Sequence, residues 1–129
     1  MDSIFTKMIR RDITVDIIYE DEYTFVIPDK FPSMPGQLLV ISKRQTSYIF
    51  DLPEMEYQAL MTTTKKVALA LDAISGKSRT CIAVEGFEVP HVHLKLYPCD
   101  DPGIVLRPKV EAAADDLEKL AGTLRAKLK

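Results

Sequence analysis

Cysteine and histidine are both scarce in this chain of 129 residues, with two of each: Cys81, Cys99, His91 and His93. Two cysteines so far apart in sequence make neither a disulfide framework nor a CxxC metal knuckle, and both are expected as buried or partly buried free thiols. Two histidines supply at most two ligands where a stable zinc site takes three or four, so no metal and no cofactor is expected. An excess of basic charge is missing as well. With 17 Lys and Arg against 19 Asp and Glu, the formal charge of -2 gives no global basic field for nucleic acid. No apolar run approaches the ~20 residues that span a bilayer. The N-terminus, MDSIFTKMIRRD, lacks the order of basic region, apolar stretch and small-residue cleavage site that marks a secretory signal. The chain is therefore expected in the cytoplasm, with no membrane partner and no strong evidence for nucleic acid; the overall charge leaves room for local basic patches. What is present, 47% hydrophobic residues, suits a single domain over residues 1–129, with 108–129 as a C-terminal helical tail.

The order of apolar and turn residues lays out the elements. SIFTKMIRR (3–11) spaces Ile4, Phe5, Met8 and Ile9 for a short amphipathic helix that should lie against a sheet. IIYED (17–21) and YTFVIPD (23–29), β-branched and aromatic and separated by acidic turn residues, predict a hairpin whose second strand Pro28 limits. DKFPSMPGQ (29–37) is a loop by its two prolines and glycine, and LLVIS (38–42) a third strand. The next segment, LPEMEYQALMTTTKKVALALDAIS, predicts a long helix. Asp51 is its expected N-cap, with Pro53 early in the helix, Glu54 at capping-box distance, apolar positions 55, 60, 67, 71 and 74, and an end before Gly76. RTCIAVE (79–85) is a fourth strand and VPHVHLKLYP (89–98) a fifth, with Pro90 favouring an edge or a strand start. VEAAADDLEKLAGTLRAKL (110–128) is a charge-laced helix that Gly122 weakens and that need not pack tightly on the core; Arg125, Lys127 and Lys129 read as its solvated end. This order predicts an α+β fold: an about five-stranded, mainly antiparallel sheet with one long helix, a short N-terminal helix and a C-terminal helix.

The chemistry concentrates in the fifth strand. Side chains alternate along a strand, so His91, His93 and Lys95 project together while Val92, Leu94 and Leu96 face the core. Neighbours on one face lie about 6.6 Å apart, close enough for two imidazoles and an ammonium to bracket one phosphate. An ordinary solvated strand face fits the same residues, and the pattern alone does not separate the two.

VPHVHLKLYP resembles the signature of the histidine triad (HIT) superfamily of nucleotide hydrolases and transferases, in which three histidines alternate with apolar residues; here Lys95 replaces the third. The stretch SIFTKMIRRDITVDIIYEDEYTFVIPDKFPSMPGQLLVISK is similar, without a gap, to the N-terminal half of the branch typified by the histidine triad nucleotide-binding proteins. The resemblance covers residues 3 to 98, and IxYEDE, an acidic residue before PxxPG, LVIxK and PHxHxxxxP together make it specific. It implies a purine nucleotide pocket, with Asp29 on the ribose hydroxyls and Ile4, Phe5 and Ile27 sandwiching the base. Without it, Asp29 reads as a solvated turn and the other three as plain core. It further implies His93 as a nucleophile that forms a covalent nucleotidyl-histidine, His91 as the group that orients it, and Lys95 beside the phosphate oxygens. The expected activity is hydrolysis of nucleoside phosphoramidates or related nucleotidyl substrates; the alternative is a catalytically weak nucleotide-binding or regulatory module. A homodimer built through the long helix and the adjacent strand is implied in the same way.

Departures from the family pattern are informative. AVEGFE, before the motif, lacks the asparagine and the glycine-glutamine-serine run of the best-known members and carries Phe87 and Glu88 instead. Gln37 stands where a histidine often follows PG, and Ser3 and Thr6 stand where some bacterial relatives have zinc-binding cysteines.

Overall fold

A computed structural model describes residues 1–102 and 111–129. In chain order these form α1 (Ile4–Ile9), β1 (Tyr19–Glu20), β2 (Thr24–Pro28), β3 (Leu38–Ser42), a one-turn 3₁₀ segment (Ile49–Asp51), α2 (Glu54–Ser75), β4 (Arg79–Ala83), β5 (His93–Cys99) and α3 (Ala114–Lys127). The strands make one five-stranded antiparallel sheet in the order β1-β2-β3-β5-β4. This is the α+β fold expected from the order of elements. The first three residues of the tail, 108–110, lie outside the described residues.

Alternation sorts the strand residues between two apolar layers. Val26, Leu38, Val40, Leu94 and Leu96 join Leu60, Val67 and Leu71 of α2 in the larger core, and Phe25, Ile27, Leu39 and Ile41 meet Phe5 of α1 on the opposite face. Both faces are therefore covered over β2 and β3, whose residues are buried throughout. His93 and Lys95 belong to the α1 face, because His93 pairs with Ile41 and Lys95 with Leu39.

Several boundaries differ from expectation. Asp51 is not the cap of α2. Pro53 occupies that position, and no side-chain hydrogen bond caps the helix. A residue before proline is pushed out of the helical region, and Leu52, at ψ 139°, breaks the helical path between Asp51 and Glu54. Met55 is exposed, while Thr63, Thr64 and Ala70 are buried with Leu60, Val67 and Leu71. Gly76, at φ 71°, closes α2 in the left-handed conformation that glycine adopts without strain. The C-terminal helix does pack: Ala121 and Leu124 are fully buried in the larger core, and the Arg125 guanidinium donates to the Ile17 carbonyl at 2.8 Å.

The fifth strand starts at His93 rather than at Val89. Ahead of it, Pro90 sits in a tight turn closed by the His91 N–H on the Val89 carbonyl at 2.8 Å, and Val92 is tied to Thr46 and Ser42 by backbone bonds of 2.8 and 3.1 Å. Cys81 and Cys99 come together diagonally across β4 and β5, with sulfur atoms 2.8 Å apart. Both are free, Cys99 buried and Cys81 half-buried.

Candidate active site

Between α1, the ends of β2, β3 and β5, and the turn before β5 lies a cleft of about 460 Å³. Ile4, Phe5, Ile27, Asp29, His93 and Lys95 all line it, together with Leu39, Val89, Glu88 and Leu117. Residues far apart in sequence thus converge, and of the expected site residues only His91 is absent from the lining. Ile4 is 45% exposed at the mouth, whereas Phe5 and Ile27 are buried. Phe87 is exposed and outside the cleft, so of the two departures before the motif only Glu88 bears on it.

The two imidazoles are not a solvated face. His91 is fully buried and His93 is 7% exposed, because Phe5 sets its ring edgewise against both, at centroid distances of 5.5 and 5.0 Å. Nor can His91 bracket a phosphate, since both of its ring nitrogens are held by protein groups. Its Nε2 lies 2.6 Å from the Ser42 carbonyl and its Nδ1 2.5 Å from the Ser3 hydroxyl. Of the three, His93 and Lys95 line the cleft.

A carbonyl oxygen only accepts, so the nitrogens facing carbonyls carry the protons. His91 is protonated at Nε2. His93 places Nδ1 2.6 Å from the His91 carbonyl and is protonated there, which leaves Nε2 the unprotonated nitrogen. The group orienting His93 is thus the backbone of His91; the His91 ring acts on that backbone by anchoring to Ser42 of β3.

Burial holds both rings below the ordinary histidine value. For His91 the Ser42 carbonyl partly offsets this, and the proximity of His93 adds to it. For His93 the His91 carbonyl opposes the burial, the Lys95 ammonium lowers the value further, and Asp29 and Glu88 raise it. Both rings are neutral at pH 7.

Asp29 also lines the cleft, buried and oriented. Its Oδ1 accepts from the Phe31 N–H at 2.9 Å and its Oδ2 from the Gln37 amide at 2.8 Å. Gln37, 2% exposed, also accepts from the Ser33 N–H at 2.9 Å and so ties the loop 29–37 to the carboxylate. Each carboxylate oxygen keeps acceptor capacity for a further donor such as a hydroxyl. In the sequence Gln37 and Ser3 stand out only as departures from the family pattern, and nothing there marks Leu39, Val89 or Leu117 for a role. Among the described residues, no group of three or more His, Cys, Asp or Glu is placed to hold a metal ion. No helix among them is long and apolar enough to cross a membrane.

The HIT domain matches residues 10–101, well over half the chain. The protein belongs to the HIT-domain family. It is 32% identical over 131 residues to the adenosine 5'-monophosphoramidase of Saccharomyces cerevisiae, covering 97% of this chain and 82% of that protein. It is 30% identical over 101 residues to the purine nucleoside phosphoramidase of Escherichia coli, covering 74% and 85%. A HIT-like protein from Bartonella henselae superposes with a TM-score of 0.86 at 26% identity, over 98% of this chain and 96% of that one.

Proposed function

We propose that this protein hydrolyses purine nucleoside phosphoramidates or closely related nucleotidyl substrates through a covalent nucleotidyl-histidine on His93. The observation that carries the reading is the bond from His93 Nδ1 to the His91 carbonyl, which leaves a neutral Nε2 as the nucleophile beside the cleft. Phosphoramidase relatives at about this identity support the reaction class.

The base lies among Ile4, Phe5 and Ile27, and the ribose hydroxyls donate to Asp29. Nε2 attacks the α-phosphorus as the P–N bond breaks, and the leaving nitrogen takes a proton from solvent and departs as the amine. Water then attacks the same phosphorus and gives up a proton to solvent, the P–Nε2 bond breaks with its electron pair returning to Nε2, and nucleoside monophosphate and neutral His93 are released. The Lys95 ammonium lies alongside the non-bridging oxygens and offsets the charge that develops there. It can donate hydrogen bonds but, while charged, cannot accept one. A homodimer is part of the reading; exposed Met55 and Leu69 on α2 and Ile82 on the edge strand β4 support it, and sedimentation at graded concentration tests it.

Rapid quench with an adenosine phosphoramidate should trap an acid-labile adduct on His93, and His93→Ala should lose label and turnover while keeping the fold. Label on another residue would overturn the mechanism. Tight nucleotide binding with no label and no turnover would favour the binding-module alternative, to which the Glu88 carboxylate in the cleft lends support.

A further inference from the structure

The Ser3 hydroxyl carries one proton and has three neighbours. It accepts from the Thr6 N–H at 3.0 Å as the N-cap of α1, lies 2.5 Å from His91 Nδ1, and lies 3.3 Å from Thr6 Oγ1. Where its proton goes follows from the groups around it. Gln45 donates its amide to the Met1 carbonyl at 2.7 Å, so its Oε1 is the acceptor, and that oxygen takes the Thr6 hydroxyl at 2.6 Å and the Ser3 N–H at 2.8 Å. The Thr6 proton is therefore spent on Gln45. His91 Nε2 donates to Ser42, so Nδ1 of the neutral ring is a bare lone pair. The Ser3 proton goes to His91 Nδ1, the nearer and stronger acceptor.

We propose that Ser3 is a positioning residue for His93, acting through His91. The hydroxyl completes the hydrogen bonding of a buried ring that would otherwise leave a nitrogen unpaired, and so holds His91 in the Nε2-protonated form that anchors to Ser42. The carbonyl of the same residue holds His93. Because Ser3 also caps α1, and α1 carries Phe5 against both imidazoles, the seating of this helix and the aim of His93 are one arrangement. The inference about kcat rests on the hydrolase reading above; the inference about His93 geometry does not.

Two substitutions that are isosteric with each other separate capping from donation. Aspartate and asparagine both cap helices about as well as serine, but only asparagine can also donate to a bare ring nitrogen. Ring ¹⁵N spectra of full-length protein should show His91 protonated at Nε2 alone in wild type and in Ser3→Asn. In Ser3→Asp both nitrogens of His91 should be protonated, and the His93 Nδ1–H resonance should shift and exchange faster with water. With adenosine phosphoramidate, Ser3→Asp should lower kcat about ten- to a hundredfold with KM unchanged, as expected for a nucleophile misaimed by a fraction of an ångström, and Ser3→Asn should stay near wild type. Unchanged His93 ring resonances in folded Ser3→Asp would overturn the proposal. So would equal loss of kcat in Ser3→Asp and Ser3→Asn, which is the mark of a purely structural role. Altered His93 resonances in a protein with no turnover at all would instead sink the hydrolase reading and leave the positioning intact.

Discussion

Gln37→Glu exchanges one atom, a nitrogen that donates for an oxygen that accepts, at a site 2% exposed and 2.8 Å from the Asp29 carboxylate. The bond to the Ser33 N–H survives, since the other oxygen still accepts. Two outcomes compete at pH 7. If the introduced carboxyl ionises, the fold loses a charge-assisted hydrogen bond of about 1.5 to 3 kcal/mol and gains a like-charge contact. If it keeps its proton it still donates to Asp29, but holding a carboxyl protonated from its usual value of about 4.3 up to pH 7 costs about 3.7 kcal/mol at 1.36 kcal/mol per unit. The cheaper route sets the loss at about 2 to 4 kcal/mol. The sign with pH follows. The introduced acid has a raised folded-state value, so its destabilisation grows as pH rises above its unfolded value and shrinks on acidification, to about 1 kcal/mol at pH 5. Urea unfolding of wild type and variant at both pH values measures this difference directly. A variant loss that is equal at pH 5 and pH 7, or below about 0.5 kcal/mol at pH 7, would show that Gln37 does not hold Asp29 in solution.

Asp29→Ala removes the carboxylate that the proposed reading sets against the ribose hydroxyls and should weaken adenosine monophosphate binding by about 1.5 to 3 kcal/mol in calorimetry; equal affinities would remove Asp29 from the site. His93 is held below the ordinary histidine value first by burial and further by Lys95, against the His91 carbonyl, Asp29 and Glu88, so the acid limb of kcat/KM should fall below pH 6.5. Lys95→Met removes a charge that lowers it, and the limb should move to higher pH; an unmoved limb would mean that His93 is not the titrating group. Leu124→Ala, in a fully buried position of α3, should cost about 2 to 5 kcal/mol in urea unfolding, and a loss under 1 kcal/mol would show that α3 does not dock. Gly122→Ala should gain about 0.5 to 1 kcal/mol, because the added Cβ meets nothing nearer than the Arg125 guanidinium at 3.8 Å.

Local rules recovered most of the fold. LLVIS is β3 to the residue, because a short apolar run holding Val40 and Ile41 between a proline-glycine loop and polar residues has few other readings. They failed where two local signals conflicted. Asp51 and Glu54 have capping-box spacing, but the intervening Pro53 forces Leu52 out of the helical region, and the steric rule overrides the hydrogen-bond pattern. In the tail, Leu117, Leu120, Ala121, Leu124 and Leu128 recur at helical spacing among the charges and are a readable signal for docking.

The site divides along a different line. Strand alternation put His93 and Lys95 on one face, and the pairing of β5 with β3 agrees. Whether that face meets water or protein is decided by Phe5, which reaches it only once α1 folds across the sheet, and no periodicity near residue 93 encodes this. The resemblance to a known family supplied it instead, and the cleft gathers the residues it named, apart from His91. What the resemblance could not supply is how this chain orients them where it departs from the pattern. Ser3 and Gln37 were visible only as substitutions, yet each is the hydrogen-bond partner of a buried site residue, His91 in one case and Asp29 in the other. A buried polar group must find a partner, so a replacement beside such a group is constrained by donor and acceptor type more than by size. Serine can donate to a bare imidazole nitrogen and glutamine to a carboxylate. On that ground the substitutions read as changes in how the same groups are held, and they leave His93 and Asp29 with the atoms that face the cleft.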